Sequence, residues 1–298
     1  MDFRSILMGV AFSIMWSSAF ASARIIVASA PPISSLAIRF VISGVIAVLI
    51  ARALGQSWRL THAQWRACII FGICQNALYL GLYFVAMQTI EASLAVIIAS
   101  TMPLLVAFAS WIFLGERLTV SAALGLFAGL TGVTIIMGSR FSGGVDVYGL
   151  MLCVAGVIAL TIATLSVRGA TSGGNFMMVV GLQMLIASVV LGAVATATET
   201  LTIDWSWAFV AAFVWTTIVP GVAATLLWFK LVERISATRA ATFHFLNPFF
   251  GVATAAILLG ETLRPTDAIG VLVIMAGILA VQLSRRPKKR GLPPVSPG

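Results

Sequence analysis

An all-α polytopic membrane protein, with ten transmembrane helices arranged as two inverted five-helix repeats, is the fold class this sequence predicts. Three observations carry that expectation. Of 298 residues, 60% are hydrophobic and only 9% charged, with a mean hydropathy of +1.09. Soluble domains carry roughly 25% charged residues, and a chain of this size buries at most about 75% of its surface, so the apolar excess needs lipid as its solvent. Second, ten apolar stretches reach the length of about 20 residues that a span requires. Third, the chain matches itself without gaps at an offset of 145 residues.

The spans are read at residues 4–27, 33–53, 64–87, 92–114, 119–138, 148–168, 175–196, 206–229, 237–259 and 266–284. Breaker clusters separate them: Ala30-Pro31-Pro32, Gly55-Gln56-Ser57, Ser142-Gly143-Gly144, Ser172-Gly173-Gly174 and Arg264-Pro265. Ala28-Ser29-Ala30 has the form of a signal-peptide cleavage site, but the apolar run before it is too long for a signal core and Arg24 interrupts its end. The first stretch is therefore read as an uncleaved span.

Lys and Arg in the loops set the orientation. With the N-terminus inside, fourteen of them fall in the cytoplasm, among them Arg52, Arg59, Arg66, Arg117, Arg168, Lys230, Arg234 and Arg239; only Arg24, Arg140 and Arg264 fall outside. Both termini are thus expected to be cytoplasmic. The net charge of +9 would point to nucleic acid in a soluble chain; here the basic run Arg285–Arg290 in a tail at 285–298 reads as a topology anchor on anionic lipid. Cys68, Cys74 and Cys153 are scattered through apolar stretches with no CxxC pattern, which argues against a disulfide or metal site.

The repeat pairs Ile90, Ala92, Ala95, Pro103, Leu114-Gly115-Glu116, Leu118, Gly125 and Gly132 with Ile235, Ala237, Ala240, Pro248, Leu259-Gly260-Glu261, Leu263, Gly270 and Gly277. At an offset of 144, Arg24 falls on Arg168 and Arg39 on Gln183. The halves, 1–143 and 144–284, hold five spans each. Because five is odd, the second half enters the membrane from the opposite side. The charges agree: Lys230, Arg234 and Arg239 correspond to Val85, Thr89 and Leu94, and Arg117 to Thr262, so the basic residue stands only where the loop is cytoplasmic. Inverted repeats are the recurrent build of secondary transporters, with the substrate site at mid-depth between the halves.

These residues carry a resemblance. Trp16-Ser17-Ser18-Ala19-Phe20 resembles the Trp-Gly-Ser opening of the drug/metabolite transporter superfamily, EamA branch, and Leu36-Ala37-Ile38-Arg39-Phe40 resembles its second-span signature. The stretches Ala92–Met137 and Ala237–Ala280 are similar to the family's central block. The resemblance covers nearly the whole chain and is greatest to the bacterial aromatic amino acid exporters of the YddG type. It implies ten helices in inverted repeats, a bacterial inner (plasma) membrane, and export or exchange of small metabolites. Ser17 replaces the usual Gly, and Asn247 precedes Pro248 where many relatives have Glu, so carboxylate-based coupling does not carry over.

Proline leaves the carbonyl four residues earlier without its donor. Pro103, Pro248 and Pro220, the last followed by Gly221, are the candidate gating or kink positions, expected to free the carbonyls of Ala99, His244 and Thr216 around a cavity. Polar groups deep in a span are costly and usually face a cavity. His244 with Asn247 at i+3 is the leading substrate-binding pair, able to hold a carboxylate or an ammonium. Gln75, Tyr79 and Tyr83 form one stripe at i+4 steps, beside Asn76. Trp16 and Trp215 lie too deep for belt anchors, whereas Trp58, Trp65, Trp205 and Trp207 sit at span ends. Aromatic walls with a few amides suit an aromatic or bulky apolar solute. Ser17, Ser100, Thr161 and Thr164 complete the candidate set, although such hydroxyls often bond their own backbone. Arg39 is read as snorkelling or binding free carbonyls near the outer gate. Gly125, Gly129 and Gly132 form a close-packing face, either internal or a homodimer contact.

No Asp or Glu lies in the middle of any span, and proton-coupled carriers typically use one. The expectation is facilitated export down a gradient, or weak coupling through His244. No cofactor, metal or catalytic residue is expected, since there is no HExxH, phosphate loop, Walker motif or nucleophile triad. The chain therefore reads as a carrier of small neutral or aromatic amino acids and not an enzyme. A carrier of cationic drugs or another metabolite is the alternative, and a passive channel comes after it.

Overall fold

The structure, a computed structural model, describes residues 2–141, 144–166 and 174–284. Arg168, Ser142-Gly143, Ser172-Gly173 and the basic tail lie outside the described residues. Among the described residues ten helices are long and apolar enough to cross a membrane: span 1 Phe3–Ser29, span 2 Pro32–Ala53, span 3 His62–Ala86, span 4 Ala92–Leu114, span 5 Val120–Ser139, span 6 Val147–Ser166, span 7 Phe176–Thr198, span 8 Trp207–Ile235, span 9 Arg239–Leu259 and span 10 Pro265–Ser284. Among the described residues there is no strand. Lipid explains this, because a spanning backbone must satisfy its polar groups within itself. Span 8 runs two turns beyond the expected end near 229. Its last turns bury Leu231 and Ile235 while exposing Lys230, Glu233 and Arg234, so an amphipathic end continues the helix past the apolar run. There Arg234 pairs with Asp2 and holds that carboxyl well below the usual carboxylate range.

Glycines bring the two repeats together. A Cβ on Gly125 would lie 2.7 Å from the Gly277 carbonyl oxygen, and one on Gly132 the same distance from that of Gly270. Only glycine allows spans 5 and 10 so close an approach. The residue numbers rise along one helix as they fall along the other, so the equivalent spans run antiparallel, as inversion requires. The close-packing face seen in the sequence is therefore spent inside the chain. Spans 2 and 7, the other equivalent pair, also cross antiparallel, packed through Gly44 and Gly181. Span 1 packs on span 9 as span 6 packs on span 4.

Helix ends are capped across the repeats. Gly260 ends span 9 in the left-handed conformation at φ 68°, and Gly115 ends span 4 at φ 64°, a turn glycine makes without steric penalty. The turn at Gly260 delivers Glu261 to the start of span 4, where its carboxylate accepts from the N–H groups of Ala92 (2.7 Å) and Ser93 (3.0 Å). In its second copy the Leu-Gly-Glu motif is thus a turn followed by a cap. At spans 2 and 7, Glu199 accepts from the N–H groups of Ile33 (2.9 Å) and Ser34 (2.7 Å), and Gln56 Oε1 accepts from Met178 N–H (3.1 Å). Because caps of this kind contribute about 0.5–2 kcal/mol, Glu261→Ala is expected to lower the apparent Tm in detergent. Glu261→Gln, which keeps an acceptor, is expected to recover part of the loss.

Candidate functional site

Spans 3, 4, 8 and 9 depart from regular α-helix where they pass mid-depth, at positions equivalent between the repeats. Span 3 is π-helical over Gly72–Tyr79, and span 8 over Val219–Ala223. Pro220 accounts for the second, since it has no N–H to continue the ladder. Spans 4 and 9 each break into two helices. Pro103 and Pro248 stand at the start of the second piece, where a missing N–H costs nothing. The residues just before Asn247, Thr242–Leu246, form a 3₁₀ turn.

These breaks redirect the carbonyls. The expectation that His244 presents a free carbonyl is not met: the tightened turn gives it the Asn247 N–H. At the equivalent break in span 4 the Thr101 N–H donates to the Ile98 carbonyl (3.1 Å). Span 1 supplies further donors to the break. Ser13 Oγ donates to the Phe243 carbonyl (2.9 Å) and Ser17 Oγ to that of Asn247 (3.1 Å). Ser17, the departure from Gly, is thus fully buried in a hydrogen bond between spans 1 and 9. Only the carbonyl of Thr216, freed by Pro220, finds a charged partner: Arg39 Nε donates to it at 3.2 Å.

Around these breaks lies a cavity of about 570 Å³, within the roughly 300–1,000 Å³ usual for small-molecule sites. Both repeats line it, often with equivalent positions: Arg39 and Gln183, Tyr83 and Trp228, Phe84 and Phe229, Ala99 and His244, Met102 and Asn247. Span 3 turns a face two residues wide to it, with Gln75 and Asn76, Tyr79 and Leu80, and Tyr83 and Phe84 one turn apart. Among the described residues that line it, Arg39 carries the one fixed charge and none is Asp or Glu.

His244 sits in an aromatic box. Its ring centroid lies 5.4 Å from that of Phe12, 6.3 Å from Trp16 and 5.1 Å from Trp228. Asn247 Nδ2 is 2.9 Å from His244 Nδ1, since in a 3₁₀ turn residues i and i+3 eclipse. With the amide as donor, Nδ1 accepts and the Nε2 proton is left for a solute. The Asn247 Oδ1, Asn76 Nδ2 and Tyr83 hydroxyl are buried without a hydrogen-bond partner, which is costly in a finished core.

Of the residues expected from sequence, His244, Asn247, Tyr79, Tyr83, Gln75, Trp16, Ser100, Thr164, Pro103, Pro220 and Gly221 line this cavity. Ser17, Thr161, Trp215 and Pro248 do not. Thr161 donates to the Val157 carbonyl (2.8 Å). Trp215 is 46% exposed and its indole donates to Ser18 Oγ (3.0 Å). Ser100 and Thr164 bond the backbone of their own helices. Sequence reasoning missed Trp228, Gln183, Thr225 and Phe12; of its two readings of Arg39, snorkelling or binding a free carbonyl, the bond to Thr216 matches the second. The repeat offset holds the signal for two of them, since it pairs Trp228 with Tyr83 and Gln183 with Arg39.

One end of the cavity is sealed. Tyr83 is 0% exposed, its ring 4.6 Å from that of Tyr79 and 6.0 Å from that of Phe20. Beside them Arg24 donates to the Met87 carbonyl. Near the other end, Phe176 of span 7 packs on Phe229 of span 8 at 4.1 Å between centroids.

Comparison with known proteins agrees with this architecture. A solved crystal structure superposes with a TM-score of 0.68 at 20% identity, covering 95% of this chain and 98% of the other. The chain is 26% identical to the uncharacterized transporter YvbV of Bacillus subtilis (strain 168), over 93% of its own length and 90% of the relative's. It is also 26% identical to the uncharacterized inner membrane transporter YedA of Escherichia coli (strain K12), over 96% and 94%. The EamA-like transporter family matches twice, over residues 3–138 and 147–283. With ten apolar spans, two inverted repeats and that double match, the chain belongs to the EamA-like transporter family.

Proposed function

We propose that this chain is a secondary carrier that exports small neutral amino acids, aromatic ones foremost, by alternating access through the central cavity. In this reading it resides in a bacterial inner membrane with both termini in the cytoplasm. The repeats 1–143 and 144–284 rock against each other about the pseudo-two-fold axis. The observation that carries the reading is the cavity itself: aromatic walls from both repeats, a few unpartnered amide and hydroxyl atoms, and one sealed end. Given the orientation from the loop charges, the sealed end at Tyr83 and Met87 is the external one.

The wall favours an aromatic solute because a ring can stack among Trp16, Trp228 and Tyr79 while burying apolar area. A cationic drug is disfavoured, since Arg39 would repel it and no carboxylate lines the cavity to receive it. The test is uptake of labelled tryptophan, phenylalanine and threonine into proteoliposomes. Uptake is expected in the order tryptophan, phenylalanine, threonine, with Tyr79→Ala reducing the first two more than the third. No uptake of any amino acid would remove the substrate assignment.

A further inference from the structure

Arg39 carries more than a structural bond. It is 5% exposed, one third of the way along span 2, and lines the cavity. Its Nε is spent on the Thr216 carbonyl, and its Cζ lies 5.2 Å from the centre of the Phe40 ring. The two terminal nitrogens have no hydrogen-bond or ion-pair partner among the described residues. A buried guanidinium with no counter-ion is an expensive arrangement, and among the described residues it is the only fixed charge on the wall.

We propose that Arg39 is the carboxylate-binding residue of the solute site, and that the cavity selects solutes carrying a single carboxylate on an aromatic or bulky apolar body. The inference rests on reading the cavity as the solute site and deepens it. The free edge of the guanidinium presents two N–H groups in a plane, which match both oxygens of one carboxylate. The Nε bond to Thr216 fixes the plane of the fork. A single positive charge is neutralised by a single negative one. A phosphate monoester, with a charge of about −1.5 to −2, would leave an excess negative charge in an apolar chamber. Among the described residues no carboxylate lines the cavity to receive the ammonium of an amino acid, so recognition is weighted to the acid end. Gln183, the equivalent of Arg39 in the second repeat, is an uncharged amide on the same wall, so the duplicated fold holds one anion fork and not two.

The experiment measures competition with labelled tryptophan, and direct thermal stabilisation, on purified wild-type protein. The probes are indole-3-propionate (acid, no amine), tryptamine (amine, no acid) and phenyl phosphate, with Arg39→Gln and Arg39→Lys measured in parallel. Indole-3-propionate is expected to bind and tryptamine not to. Arg39→Gln is expected to weaken the carboxylate probe by about ten- to a hundred-fold, the range for a charged hydrogen bond, with Arg39→Lys intermediate. If indole-3-propionate binds through Arg39 but tryptophan does not, the amino acid reading fails and the carboxylate subsite stands. Equal binding of tryptamine and indole-3-propionate, stronger binding of phenyl phosphate, or no binding of any probe overturns the proposal. The comparison of probes on wild-type protein decides even if Arg39→Gln fails to fold.

Discussion

Leucine at Gly277 is expected to leave almost no folded protein in the membrane. A Cβ there would stand 2.6 Å from the Gly125 carbonyl oxygen and 2.8 Å from the Gly129 nitrogen. Both are backbone atoms in the middle of a helix and cannot swing aside as a side chain could. Overpacking a well-filled core costs typically about 1–3 kcal/mol, and the whole leucine side chain must be placed between two helices in contact. One or two kcal/mol already shifts a folded-to-unfolded ratio about 5- to 30-fold, so monodisperse protein recovered from detergent should fall by at least that factor. Gly192→Leu is the control: a Cβ there has no neighbour within 4 Å, and yield should hold. Equal yields from the two variants would mean that spans 5 and 10 do not meet at their glycines.

The second large effect is expected at His244 and Asn247. Their side chains bond at 2.9 Å, and Asn247 already has an unpartnered Oδ1. Removing the imidazole strands the amide nitrogen as well, and an unmet buried polar group costs about 1–3 kcal/mol. It also takes the only ring nitrogen able to accept a proton out of the box of Phe12, Trp16 and Trp228. Initial uptake by His244→Ala and by Asn247→Ala should each fall about tenfold or more, as 1.4 kcal/mol implies. Because the pair acts as one unit, the double variant should transport about as poorly as either single one. Fully additive losses would show that the two residues work separately.

The ten spans and their inverted pairing were legible in the sequence because lipid constrains length and apolarity directly. An offset that aligns Leu114-Gly115-Glu116 with Leu259-Gly260-Glu261 also needs no knowledge of contacts. The Gln75, Tyr79 and Tyr83 stripe was visible for a similar reason, since polar side chains at helical spacing in mid-span stand out against their surroundings. The partners of Arg39 and Ser17 were not visible. Thr216 lies 177 residues from the first and Asn247 lies 230 from the second, and no local pattern announces such contacts. Trp228 and Trp215 mark a deeper limit. In lipid, a tryptophan facing the cavity and one on the outer surface look alike in sequence, because neither side demands a polar residue. The carbonyl prediction at Pro248 failed because it assumed an otherwise regular α-helix, and the 3₁₀ turn before the proline supplied a donor from closer by.

The central claim is that the two repeats enclose one wet chamber in which solute sits. In a background with Cys68, Cys74 and Cys153 replaced by alanine, single cysteines at Ala99 and Thr225, one from each repeat, would be reacted with a water-soluble maleimide. Ile257, 80% exposed on the outer surface of span 9, serves as the lipid-facing comparison, because a thiol reacts as its hydrated thiolate. Cysteines at Ala99 and Thr225 should label and be protected by tryptophan, while one at Ile257 stays unreactive. Silence at both cavity positions, equal to that at Ile257, would contradict the account.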